Sequence, residues 1–198
     1  VIIALPFSVL RHIDGVKDLA LHPVKQRCIQ ECGYGSNTKI MSDFRGRPWR
    51  EAGGRLPAFN GFLTTDAGPQ TLWETSRDQA GANGIITDFL GGEAASRVNA
   101  TNQRTPVQFL TRLDPRIGAD FTGRQRFMNW SQYRFSRGSY SCPLPGYYTT
   151  MFGIEGKPEL GGQLLFAGEH TSVDSTGFMN GAVESGRRVA GEVLQAAS

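Results

Sequence analysis

The sequence predicts a mixed fold, α/β plus α+β, and three stretches carry that reading. Residues 164–194 pass from the apolar run Leu164-Leu165-Phe166-Ala167 through a glycine-rich connection into a helical pattern, the strand–loop–helix order of an α/β unit. Residues 50–92 hold three short β-rich runs, Phe59 to Thr65, Thr71 to Thr75 and Gly84 to Leu90, separated by the turn clusters Asp66-Ala67-Gly68-Pro69 and Asp78-Gln79-Ala80-Gly81. They read as an antiparallel meander with one solvated face. Residues 93–114 have helical spacing, with Val107, Leu110 and Leu113 on one side and Asp114-Pro115 as the stop. A chain of 198 residues makes one large domain or two small ones and buries roughly 70% of the surface its unfolded form exposes.

The other elements follow in order. Val1-Ile2-Ile3-Ala4-Leu5-Pro6 is an apolar strand ended by proline, expected to be buried between two neighbours, so the chain is expected to begin in mid-sheet as part of something larger. Phe7 to Leu10 predicts a turn of helix, and Val24 to Cys32 a longer helix broken by Gly33-Tyr34-Gly35-Ser36-Asn37. Thr38 to Phe44 predicts a strand in which Lys39 is the only cation, and Phe127 to Trp130 predicts another. Residues 131–162 are loop-rich, and long ordered loops tend to carry function. From Met179 a helix is expected, with Ala182, Gly186, Val189, Ala190, Val193 and Leu194 as its apolar stripe and Glu184, Arg187, Arg188 and Glu192 on other faces.

Composition excludes several partners. Net charge is +3, yet no run of five basic residues occurs, which argues against nucleic acid. No apolar run reaches the roughly 18 residues of a membrane span and no signal-peptide pattern opens the chain, so a soluble, cytoplasmic protein without a membrane partner is expected. Cys28, Cys32 and Cys142 are too sparse for a zinc set and are read as buried free thiols, with no metal site.

Chemistry concentrates in the last segment. A strand ending in Gly168-Glu169 sets a carboxylate at the carboxyl edge of a sheet, where open α/β sheets bind ligands. The helix starting near Met179 offers unpaired N–H groups and a partial positive charge, and Gly177 and Gly181 permit close backbone approach. Two readings fit these residues: a ligand carrying hydroxyls and electron-rich atoms, or a plain strand-to-helix connection with Glu169 as a cap.

Residues 165–190, LFAGEHTSVDSTGFMNGAVESGRRVA, closely resemble the C-terminal flavin-binding motif of the flavin-containing amine oxidase family. Val1 to Leu10, Thr38-Lys39-Ile40 and Trp130 to Ser141 resemble further family elements in family order. The resemblance implies FAD held by Trp130, Ser139, Gly168, Glu169, Gly177, Phe178, Met179 and Ala182. Glu169 would accept bonds from FAD hydroxyls, the Met179 N–H would face the flavin pyrimidine edge, and Trp130 would pack beside the ring system. Ser139 stands where mammalian monoamine oxidases carry the flavin-bound cysteine, and serine cannot form that thioether, so non-covalent FAD is implied. Lys39 would hold a water near flavin N5 for reoxidation, and Tyr140 and Phe178 would flank the substrate nitrogen, which makes Lys39, Tyr140 and Phe178 the implied catalytic set. His170 is read as a lining residue, because the family needs no base there.

By the same resemblance, residues 1–13 would be a strand and turn of the FAD-binding domain, 14–128 a portion of the substrate-binding domain, and 129–198 the C-terminal portion of the FAD-binding domain. The family's N-terminal βαβ unit with its G-x-G-x-x-G fingerprint does not occur in these residues. The expectation is therefore the C-terminal part of a two-domain oxidase, inactive alone, whose partners are a missing N-terminal half, a small amine or amino acid and O2, with H2O2 as product. Homo-oligomerisation is left open, as is the choice between amine and amino acid. A flavin desaturase or protoporphyrinogen-type oxidase shares the terminal motif but not Lys39 with the Tyr140 and Phe178 pair. A catalytically silent module of the same fold is the alternative outside enzymes.

Overall fold

The computed structural model describes residues 1–196. It comprises two compact units, one made of Val1–Gly35 with the chain from Ser131 onward, the other of Ser36–Trp130. No helix among the described residues is long and apolar enough to cross a membrane.

The first unit opens with β1 (Ile2–Ile3), α1 (Phe7–Leu10) and α2 (Pro23–Glu31). β1 is shorter than its apolar run and not buried: it pairs in parallel with Leu165–Phe166 on one edge only, and Val1 and Ile2 stay exposed. α2 starts at Pro23, whose missing N–H costs nothing at a helix start, and the His22 ring accepts the Val24 N–H at 3.2 Å.

The second unit is a five-stranded antiparallel sheet built from β2 (Asn37–Phe44), β3 (Leu63–Thr64), β4 (Thr71–Glu74), β5 (Gly84–Gly91) and β6 (Phe121–Asn129), in the order β3-β4-β5-β2-β6. The predicted meander is β3-β4-β5, with β2 laid against its last strand. Three helices join β5 to β6: α3 (Gly92–Ser96), α4 (Thr105–Leu113) and α5 (Pro115–Asp120). Alternation along the strands divides the sheet into two faces. Ile40, Phe44, Leu72, Ile86 and Leu90 pack with Ala95, Val107, Leu110 and Ile117 from the helices. Lys39, Met41, Trp73, Ile85 and Phe89 lie on the other, half-buried face.

Three sequence expectations change here, the first being that the strand expected over Phe127 to Trp130 runs over Phe121–Asn129, paired along β2. Phe59 to Thr65 shrinks to the two residues of β3, because Asn60 Oδ1 takes the Phe62 N–H at 3.0 Å and Gly61 turns with φ +79° against Glu74. The helix expected over 93–114 splits into α3 and α4, since Asn99 and Asn102 spend their side chains on local N–H groups at 2.8 Å. Asp114 does stop α4, and it also caps α5 by accepting the Arg116 N–H at 3.0 Å.

Asp88 is buried on the helix-packed face with the Gln70 N–H as its hydrogen-bond donor at 3.1 Å, and burial pushes its carboxyl up to about 6. A carboxyl raised in the folded state stabilises below its unfolded pKa and loses that contribution as pH rises through about 6. Asp88→Asn should therefore stabilise the sheet by about 2 kcal/mol at pH 8 and by little at pH 4. Urea unfolding at the two pH values reads the difference.

The first unit closes with α6 (Tyr147–Thr150), β7 (Leu165–Phe166) and α7 (Met179–Ala196). Phe7, Leu10, Cys28, Ile29, Cys32, Tyr147 and Phe166 form its core. Cys28 and Cys32 are buried as expected, and burial pushes Cys28 up to about 12 beside the Tyr147 hydroxyl. Cys142 is exposed, contrary to expectation: Ser141 bridges Tyr34 and turns inward, so its neighbour points out.

Of the apolar stripe expected on α7, Val189 alone is buried. Gly181, Ser185 and Val189 face inward, while Ala182, Gly186 and Ala190 are exposed and Leu194 is 72% exposed. Small residues win because the backbones approach closely: Ser185 Oγ accepts the Gly168 N–H at 2.9 Å, and a side chain at Gly181 would collide with the Ser175 carbonyl. Arg188 reaches in as well, donating to Phe166 O at 2.8 Å and Gly156 O at 2.9 Å.

Candidate functional site

In the first unit the site grows from the end of β7. Gly168, at φ +135°, turns the chain out of the strand into a short helical turn over Glu169–Thr171. The Glu169 carboxylate then accepts three bonds from its own chain: the Ser141 N–H at 2.9 Å, the Ser141 hydroxyl at 2.6 Å and the Gly177 N–H at 2.6 Å. It clamps the 139–141 turn and the entry to α7 onto the end of β7. Both sequence roles for Glu169 meet here, because the segment it holds is the one leading into the helix.

The clamp ties the chain beside each of the two predicted aromatics to one carboxylate. A Cβ at Gly177 would sit 3.8 Å from the Tyr140 ring, and Phe178 follows directly. Tyr140, Phe178 and Met179 are 45, 71 and 87% exposed, an apolar surface at the helix start. The turn is stapled from behind: the Ser139 N–H donates to Gly35 O and the Gly35 N–H to Tyr140 O, both at 2.8 Å. Ser139 Oγ is buried without a hydrogen-bond partner among the described residues. At the start of α7 the Ala182 N–H reaches Phe178 O at 3.3 Å, while Met179, Asn180 and Gly181 precede the helical bonding ladder.

His170 turns away from this surface. It is buried edge-on against Phe7, ring centres 4.4 Å apart, and its Nε2 has no hydrogen-bond partner among the described residues. Burial, with a smaller push from the Lys25 charge, lowers it to about 4, so it is neutral near pH 7. It is a core ring and not the lining residue expected from the sequence. Lys25, which sequence reasoning passed over, is fully buried: its Nζ donates to Glu155 O and Lys157 O at 2.8 Å and lies 4.1 Å over the Phe166 ring. Burial lowers it to about 8. Nothing in its helical stretch, which also carries Arg27, marks it as the buried one.

Lys39 and Trp130 belong to the second unit. Lys39 stands in β2 on the half-buried face, near the Trp73 and Phe89 rings. Trp130 follows β6, its N–H donating to Asn37 O at 3.1 Å. Ser141 was also missed by sequence reasoning, although it supplies two of the three bonds to Glu169; a serine in a serine-rich loop gives no such signal. A cleft of about 840 Å³ between Arg11, Arg27, Tyr34, Arg137 and Tyr147 is not lined by Tyr140, Glu169 or Phe178. The candidate site is a surface, not this cleft.

The family model for flavin containing amine oxidoreductases matches residues 1–194. The chain belongs to that family. Among curated relatives of this family member, the protein named "Putative L-amino-acid oxidase YobN" from Bacillus subtilis (strain 168) is 32% identical over 97% of the chain. A flavin-containing amine oxidase of Danio rerio is 25% identical over 88%. The chain spans 40% of the first and 33% of the second, well under half of either relative. Among solved structures, cyclohexylamine oxidase from Brevibacterium oxydans IH-35A shares the fold with a TM-score of 0.83 and 18% identity, covering 100% of the chain and 43% of that protein. Putrescine oxidase bound to putrescine gives 0.79 and 20%, covering 98% and 42%.

The flavin that the family name carries suits the first-unit surface. It offers an orphaned buried hydroxyl at Ser139, first-turn N–H groups of α7 for an electron-rich ring edge, and exposed aromatic faces at Tyr140 and Phe178.

Proposed function

We propose that this chain is the C-terminal part of an FAD-dependent oxidase acting on the C–N bond of a small amine or amino acid. One observation carries the reading: the Glu169 carboxylate holds Ser141, the neighbour of the exposed Tyr140, and Gly177, the neighbour of the exposed Phe178 just ahead of α7. When bound, the flavin supplies a two-electron acceptor, so that the substrate becomes an imine and O2 becomes H2O2. The chain's own residues do the rest. The α7 N-terminus stabilises negative charge by roughly 0.3–2 kcal/mol, Tyr140 and Phe178 offer ring faces to a substrate amine, and Lys39 donates to a water used in reoxidation. Ser139, unable to form a thioether, makes the FAD non-covalent. Gly168, Gly177 and Ala182 keep the backbone approachable beside Glu169, and Trp130 packs against the cofactor.

In this reading residues 1–13 and 129–198 belong to the FAD-binding domain and 14–128 to the substrate-binding domain. A βαβ unit with the pyrophosphate fingerprint lies in a further segment, and the chain alone has no useful oxidase activity. The exposed Ala182, Gly186, Ala190 and Leu194 side of α7 and the single-edged β1 supply surfaces for that segment. The L-amino-acid oxidase name of the Bacillus relative and the amine names of the others keep both substrate classes in play.

The test is anaerobic titration of the complete protein with a panel of amines and amino acids. A bound flavin that bleaches with one class supports the oxidase and names its substrate; a protein that binds no flavin is a silent module. In the same protein, Lys39→Met should slow reoxidation of the reduced flavin about ten- to hundredfold while leaving bleaching intact, the worth of a charge-assisted hydrogen bond. Stopped-flow mixing with O2 measures it.

A further inference from the structure

Lys39 has no carboxylate to hold it. Among the described residues its ammonium makes neither ion pair nor hydrogen bond, and it stands 6.0 Å from the centre of the Trp73 ring and 5.9 Å from that of Phe89. Strand register enforces the grouping. Lys39 lies directly opposite Phe89 on β5, and Trp73 lies opposite Thr87, one pleat along the same face. The two rings are 5.8 Å apart and tilted by 54°. Asp43, an acid on the same face of β2, is already engaged by Arg124 at 2.7 Å and by the Thr122 hydroxyl at 2.7 Å.

A lysine on a half-buried sheet face ordinarily runs its stem to solvent or finds an acid. Aromatic faces hold it differently: the ring quadrupole attracts the cation without consuming directed hydrogen bonds. We infer that Trp73 and Phe89 are positioning residues, which together hold the Lys39 ammonium on the open face of the sheet and leave its three N–H donors to a water or ligand. The catalytic consequence rests on the proposed role of Lys39 in reoxidation; the holding itself does not. Each ring contact lies at the outer reach of such attraction, so each is worth about a two- to fivefold effect.

Two measurements test this separately. In the chain labelled with 13C-lysine, the Lys39 side-chain protons should show an upfield ring-current shift, reduced in Trp73→Leu and in Phe89→Leu and retained in Phe89→Tyr. An unshifted Lys39, or one that neither leucine substitution moves, overturns the inference whatever the protein's activity. In the complete flavoprotein, both leucine variants should slow flavin reoxidation about two- to fivefold with flavin reduction by substrate unchanged, and Phe89→Tyr should restore the rate. Equal slowing of both half-reactions, or none of reoxidation, overturns the positioning role. If the complete protein carries no flavin, the oxidase reading fails while the lysine spectrum still decides whether the rings hold Lys39. Trp73→Phe, which keeps a ring face, replaces Trp73→Leu should the latter not fold, and is expected to leave the shift largely in place.

Discussion

Glu74→Ala is expected to destabilise the second unit by about 3–5 kcal/mol, the cost of breaking a buried ion pair by removing one partner. The Glu74 side chain is fully buried and accepts from Trp49 Nε1 at 2.9 Å, from Arg50 Nε and Nη2 at 2.7 and 2.8 Å, and from the Ser76 hydroxyl at 3.2 Å, with Arg47 a further 3.1 Å away. Burial alone would raise its carboxyl, but the bonds from Trp49 and Arg50 more than offset that and hold it below the usual carboxylate range. Alanine leaves the indole N–H and the Arg50 guanidinium without their acceptor beside the packed Phe44 and Trp49 rings. Arg27→Ala, which breaks the exposed Arg27 and Glu31 pair on α2, is the comparison and should cost little, because solvent screens the pair. Urea midpoints at constant slope measure both, and a Glu74→Ala loss as small as that of Arg27→Ala would remove the cluster from the account of the fold.

Glu169→Ala should cost about 2–4 kcal/mol, since two backbone N–H groups and one hydroxyl lose a charged acceptor. The loss is local. Without the carboxylate, the 139–141 turn and the approach to α7 are no longer tied to the end of β7, and Tyr140 and Phe178 lose their common anchor. Glu169→Gln keeps one acceptor but sets its amide against an N–H, so an intermediate loss is expected. Stability is read on the chain by denaturation; in the complete protein, flavin retained through gel filtration reads the site. Full retention in Glu169→Ala would show that the clamp does not shape the flavin surface.

The fold was largely legible where periodicity was clean. β2, β4 and β5 and the start of α7 fall within a residue or two of their expected places because alternation or helical spacing extends over the whole element, whereas of the helix expected over 93–114 only the stop at Asp114 was placed correctly. Legibility failed where a local bond competed, as at Asn60 and Asn99, and where burial was inferred from hydrophobicity alone. Val1 and Ile2 are apolar but have one strand neighbour, and Leu194 is apolar but lies on the outer side of α7. The site divides similarly. Glu169, Tyr140 and Phe178 stood out by family resemblance, whereas Ser141, Lys25, Trp73 and Phe89 gained meaning only from their neighbours.

By itself the sequence determined family membership, the strand–loop–helix order of the terminal motif and the chemical identity of its key groups. These depend on residue type and spacing along the chain. Tertiary structure alone decided which side of α7 is buried, that the Glu169 carboxylate grips Ser141 and Gly177, that His170 is a neutral core ring, and that Lys39 meets two aromatic faces instead of an acid. Each of these depends on groups brought together from distant points in the chain or on the solvent they exclude. Hydrogen-bond reach, desolvation and cation–π attraction act over a few ångströms of space and leave no mark in the spacing of residues.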